Sequence, residues 1–77
     1  MEGPITAIKE GKSVKIIKLD GGNSFQHKLR TMGIREGKQI KIIAKQPLGG
    51  PIVVEIENSK TTIGRGMAHR IIVTWDE

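Results

Sequence analysis

Two imidazoles, His27 and His69, are the side chains of this chain best suited to chemistry. A neutral imidazole beside acidic residues binds transition metals, so each is a candidate ligand. Neither has a second histidine at a helical spacing, and there is no cysteine to complete a zinc-type set. Both are therefore read as solvent-exposed, and no metal ligand is assigned. Met67 reads as core filler rather than as a thioether ligand. In "GRGMAH", Gly64 and Gly66 lack the third glycine and the βαβ unit of a dinucleotide site, so a tight turn into a short helical segment is expected there. Glu55 and Glu57 alternate onto one exposed strand face, and no serine has a base and an orienting acid in its sequence context. No catalytic constellation results, and an enzyme is not expected.

Recognition is better supported than catalysis, and "KQPLGGPI" is where it would occur. Pro47 and Pro51 restrict the ends of this loop, while Gly49 and Gly50 let its middle turn sharply. Leu48 then has two placements open to it. Exposed on a pre-shaped loop, it could enter a partner's groove with little loss of conformational entropy. Folded inward, it would close one end of the domain.

The elements that must hold this loop follow from hydropathy. Period-two alternation in "SVKIIKL", "KQIKIIAK", "PIVVEIE", "KTTI" and "RIIVTW" predicts about five short strands. In the first, the apolar set slips from Val14 and Ile16 to Ile17 and Leu19, which predicts a bulge. Asn58 and Ser59 suit a tight hairpin before "KTTI". Between the first two strands, Phe25, Leu29 and Met32 share a helical face, with Lys28, Arg30 and Thr31 nearer solvent. Asn23 is placed as the cap of this helix, with Gln26 reaching back to it. In "TMGIREGK", Gly33 should end the helix at positive φ, Ile34 should fold back onto Leu29, and Gly37 should launch the next strand. "KEGKSVKI" and "REGKQIKI" echo each other, which reads as one glycine turn used twice before a strand.

Seventy-seven residues make a single domain, 1–77. A chain of this size buries only about 60% of its unfolded surface, so most apolar side chains are needed for the core and little is left over for an enclosed substrate pocket. No apolar stretch approaches the roughly 20 residues of a membrane span, and the start lacks a signal-peptide pattern. A soluble cytoplasmic protein, not inserted in a membrane, is expected. The net charge of +5 invites a nucleic-acid reading. Yet the lysines are interleaved with apolar residues, as on the solvent face of strands, and Phe25 and Trp75 are the only aromatic side chains for base stacking.

"HKLRTMGIREGKQIKI" followed by "KQPLGGPIVVEI" resembles the signature of the FeoA family of bacterial ferrous iron transport, and the similarity runs from "ITAIKEGKSVKII" to "AHRIIV". The resemblance implies a mainly β, small SH3-like barrel of about five strands, with one short helix inserted and a short helical turn before the last strand. It also implies association with the membrane GTPase transporter FeoB. The same barrel forms the C-terminal domain of DtxR-type repressors. Two positions depart from the family pattern: Gly50, where an aspartate is common, and Gly64, where many members carry arginine. The partner-binding candidates are Lys28, Arg30, Pro47, Leu48, Gly49 and Pro51. No cofactor is called for, weak transition-metal (iron) binding at His27 or His69 being the most these residues would support. The expectation is a non-enzymatic accessory protein of ferrous iron uptake; the alternative is a basic SH3-like barrel that binds RNA or DNA.

Overall fold

The computed structural model describes residues 1–76. Six strands, β1 (Glu2–Pro4), β2 (Ser13–Leu19), β3 (Gln39–Lys45), β4 (Ile52–Ile56), β5 (Ser59–Ile63) and β6 (Ile71–Thr74), form one antiparallel sheet in the order β1-β6-β2-β3-β4-β5. Helix α1 (Asn23–Thr31) joins β2 to β3, a four-residue helix α2 (Arg65–Ala68) joins β5 to β6, and a 3-10 turn spans Ile5–Ala7. The fold is a small SH3-like one with six strands rather than about five. The additional strand is β1, whose Glu-Gly-Pro sequence has no alternation to reveal it and which pairs with β6 from Glu2↔Thr74 to Pro4↔Ile72. Pro4 is tolerated there because β1 is an edge, where a missing N–H breaks no second ladder.

Alternation buries one face of the bent sheet. Ile16, Leu19, Ile40, Ile42, Ile52, Val54, Ile63, Ile71 and Val73 are all at most 2% exposed, and Leu29, Ile34 and Ile5 join them from outside the sheet. Each such side chain contributes on the order of 1.5–3 kcal/mol of transfer free energy, which makes this aliphatic cluster the main source of stability. The expected bulge lies in β2: its register with β6 shifts between Ile16 and Lys18, leaving Ile17 half-buried. A second, unforeseen bulge shifts β3 against β4 between Ile42 and Ala44. Bulges sharpen the local twist, and these two help bend the sheet around its core.

The echoed segments are arranged reciprocally. Gly11 (φ 88°) donates its N–H to the Ile42 carbonyl, and Ile42 donates to the Lys12 carbonyl. In the same way Gly37 (φ 89°) donates to Ile16, and Ile16 donates to Lys38. The two turns thus grip opposite ends of the β2–β3 ladder in one pattern, related by a local two-fold about the pair Val14↔Ile40.

Two local expectations need correction. Asn23 is the first helical residue and does not cap α1; Gly22 is the cap, with φ −72° and ψ 179°. Gln26 sends its backbone N–H to the Gly22 carbonyl and its side-chain Nε2 to the Gly21 carbonyl at 2.8 Å. The cause is Phe25, whose ring lies so close that a Cβ on Gly21 would stand 2.4 Å from it. Gly21 lets the chain pass under that ring, and the helix starts one residue early. The β4–β5 hairpin is likewise displaced. Ile56 pairs with Ser59, and Glu57 (φ 50°) and Asn58 (φ 68°) make the turn. Glu57 therefore leaves the strand face it would share with Glu55, and its carboxylate meets Lys38 Nζ at 2.7 Å.

The end of α1 is as expected. Ile34 donates its N–H to the Leu29 carbonyl and Gly33 donates to Arg30, with Gly33 at φ 84° and Ile34 fully buried. This is the Schellman arrangement, which satisfies two carbonyls and returns an apolar side chain to the core.

Candidate functional site

The loop between β3 and β4 is closed by two backbone hydrogen bonds. Gln46 donates its N–H to the Pro51 carbonyl at 3.0 Å, and Gly50 donates to Pro47 at 3.2 Å. Its two central residues, Leu48 (φ 60°) and Gly49 (φ 73°), both have positive φ, the pattern of a type I′ turn. Such turns favour Asn-Gly, and a leucine at positive φ is uncommon. Leu48 is 104% exposed, so of its two placements the structure has the outward one.

Arg65, the first residue of α2, braces this loop from outside. Its Nε donates to the Gly50 carbonyl at 2.9 Å and its Nη2 to the Gln46 carbonyl at 3.0 Å. One planar guanidinium thus spans both arms of the turn, a task that suits arginine better than lysine. Gly50 itself has no room for a side chain, since a Cβ would stand 2.8 Å from Gln46 Cβ. The loop's backbone thereby accounts for glycine where the family pattern commonly has an acid. Arg65 was missed in the sequence because a lone basic residue after Gly64 carries no signal of a contact fifteen residues away.

The other candidates are distributed around α1 and α2. Lys28 is exposed on α1. Arg30 is engaged with both carboxylate oxygens of Glu36 at 3.2 Å, which ties the end of α1 to the approach of β3. The Glu36 carboxyl is held below its ordinary value, first by a backbone hydrogen bond and then by Arg30, with slight burial acting the other way. Among the described residues no hydrogen bond or ion pair joins Lys28 or Arg30 side chains to the loop. Arg65 of α2 holds the loop, while Gly66 and Met67 of α2, with Phe25 and Arg70, line a shallow cleft of about 290 Å³ against α1. Arg70 lies over the Phe25 ring at 5.6 Å, within cation–π range. Met67 packs on the core as expected.

His27 is exposed, and His69 is exposed with its Nδ1 3.3 Å from Thr6 Oγ1. Among the described residues no three His, Asp or Glu side chains gather as a metal-holding group. The "GRGMAH" stretch is a turn into a short helix, with Gly64 capping α2. Among the described residues no helix is long and apolar enough to cross a membrane.

This geometry has a counterpart in known proteins: residues 3–74 match the family model described as the FeoA domain. The chain belongs to the FeoA family. A protein of Methanocaldococcus jannaschii, provisionally named Fe(2+) transport protein A, is 37% identical over 70 residues, covering 91% of this chain and 83% of that one. The crystal structure of an iron uptake regulatory protein, FeoA, superposes with a TM-score of 0.87 at 27% identity, covering 96% of each chain. A manganese-dependent transcriptional repressor contains the same fold, with a TM-score of 0.84 at 19% identity over 94% of this chain and 40% of its own. That last likeness is one of fold alone. It agrees with the expectation that the same barrel occurs in metal-dependent repressors.

Proposed function

We propose that this FeoA-family chain is a non-enzymatic accessory protein of ferrous iron uptake, which docks on the cytosolic region of a FeoB-type membrane transporter through the β3–β4 loop. The name of the Methanocaldococcus relative supports the iron-transport role. The observation that carries the docking surface is Leu48, fully exposed and held at positive φ on a loop that Arg65 braces. An apolar anchor on a pre-formed turn loses little freedom on binding, the usual condition for a small contact to contribute much affinity. Pro47, Gly49 and Pro51 shape that turn, and Lys28 and Arg30 on α1 are the basic partner-binding candidates. The reading requires no cofactor and puts the chain in the cytoplasm.

Titration of the purified chain with the transporter's cytosolic region, at about 50 and 200 mM salt, tests it. Binding should persist at the higher salt, because burial of Leu48 is not screened. Leu48→Asp should abolish it with the fold intact, and Arg65→Ala should weaken it by loosening the turn. Salt-resistant, sequence-selective binding to an oligonucleotide, with none to the transporter fragment, would overturn the proposal in favour of an RNA- or DNA-binding barrel.

A further inference from the structure

A second surface lies where the start of β2 separates from the end of β6. The β2–β6 ladder stops at Lys15↔Thr74. Trp75 faces β1, as alternation in a strand flanked on both sides requires, exchanging hydrogen bonds with Met1 (Trp75 N–H to Met1 O, the Met1 amine to Trp75 O), and Asp76, next in register with Ser13, lies outside the strand. Among the described residues no backbone hydrogen bond joins Ser13 to Asp76, so Ser13 is paired on its β3 side alone. Lys12 and Ile16 both direct their carbonyls at β3's side of β2, to Ile42 and Gly37. Strand alternation then turns the N–H and C=O of Ser13 the other way, to the side of β2 beyond the end of its ladder with β6. The gap opens into a groove of about 570 Å³ whose walls include Lys9, Lys12, Lys15, Trp75 and Asp76.

Among the described residues none of Lys9, Lys12 and Lys15 forms an ion pair; the three pairs lie elsewhere, at Lys18–Asp20, Arg30–Glu36 and Lys38–Glu57. Glu10, the acid nearest in sequence, is turned away to accept the Lys45 N–H at 2.7 Å. Among the described wall residues Asp76 is the one acid, against three lysines.

We propose that this groove binds an extended acidic segment of a protein partner, its backbone continuing the β2 edge at Ser13 and its carboxylates meeting Lys9, Lys12 and Lys15. Strand addition supplies directional main-chain bonds, and the lysines select acidic side chains. A free strand-edge N–H and C=O pair favours a peptide over a nucleic acid, whose backbone offers phosphates but no amide N–H to pair with the Ser13 carbonyl. The single Trp75 half-lines the groove and reports on its occupancy. The proposal is independent of which partner the β3–β4 loop meets.

The test is fluorescence titration of the full chain, exciting Trp75, with a short synthetic peptide alternating Glu and Val, at about 150 mM salt. Saturable binding is expected. Replacing Lys9, Lys12 and Lys15 together by Gln should weaken it about tenfold or more, whereas the same charge change at Lys18, Lys41 and Lys60 should have a smaller effect. Asp76→Asn should tighten it. The Ser13 amide should become protected from hydrogen exchange on saturation. Absence of binding, equal losses from the two lysine triples, an unchanged Ser13 amide, or tighter binding of oligothymidylate than of the peptide would each overturn the proposal.

Discussion

Leu48 is unfavourable twice over in the isolated domain: its apolar side chain is fully in water, and its backbone sits at φ 60°, where a Cβ crowds the following carbonyl at roughly 1–2 kcal/mol. The turn's backbone hydrogen bonds and Arg65 hold it there, while its side chain stays in water. Leu48→Asn would convert the turn to Asn-Gly, the preferred type I′ pair, and should raise stability by about 0.5–1 kcal/mol. The same variant should lose affinity for the transporter fragment. Chemical denaturation beside the binding titration reads both effects, and a destabilised variant would show that the leucine contributes to the fold after all. Arg65 illustrates why part of this site could not be read from the chain. Its partners are backbone carbonyls brought close by the whole sheet, and carbonyls have no residue type to recognise. The loop itself was readable, because proline and glycine constrain φ wherever they occur.

Elements with strong periodicity were readable for the same kind of reason. β2 to β6 each alternate over at least four residues, and the slip at Ile17 marked its bulge before any pairing was known. β1 has no such pattern and exists only because β6 presents an edge to it. The start of α1 shifted by one residue because the Phe25 ring, a tertiary neighbour, outweighed the capping preference of Asn23. Its end did not shift, since Gly33 is required by conformation and not by context. Gly33→Val should therefore destabilise the chain by at least ~1 kcal/mol in denaturant, and an unchanged midpoint would refute the left-handed assignment. The ends of the elements are also where charge enters stability. Glu36 and Glu57 both have carboxyl values below the ordinary one, Glu57 chiefly through its hydrogen bond with Lys38 and then the attraction of that charge. A depressed value in the folded state means stability that is present above the unfolded value and lost as pH falls through the folded one. Thermal melts should thus decline as the solution is acidified through and below the usual carboxylate range. Glu36→Gln should flatten part of that decline, and a decline as steep as in the parent chain would exclude the Arg30–Glu36 contact as a source. The effect should be small and should shrink with salt, because both carboxylates are near water.

As a whole the molecule is one aliphatic core wrapped by a bent sheet, with a net charge of +5 left on its surface. Its two proposed contacts use different chemistry, an apolar wedge at the β3–β4 loop and a lysine-rich groove beside β2, so salt separates them experimentally. The reciprocal turns at Gly11 and Gly37 have a consequence of another kind. Segments 9–16 and 35–42 differ only as Lys9 from Arg35, Ser13 from Gln39 and Val14 from Ile40, and the first two pairs are exposed in both places. Transposing the octapeptides moves a single methylene between two buried sites, a change of the size cores tolerate for less than about 1.5 kcal/mol. A chain with the two segments exchanged should fold to the same structure and melt within a few degrees of the parent, as judged by calorimetry and amide spectra. Were it to unfold, the echo would be a coincidence of turn chemistry; if it folds, the domain is assembled around a pair of interchangeable parts.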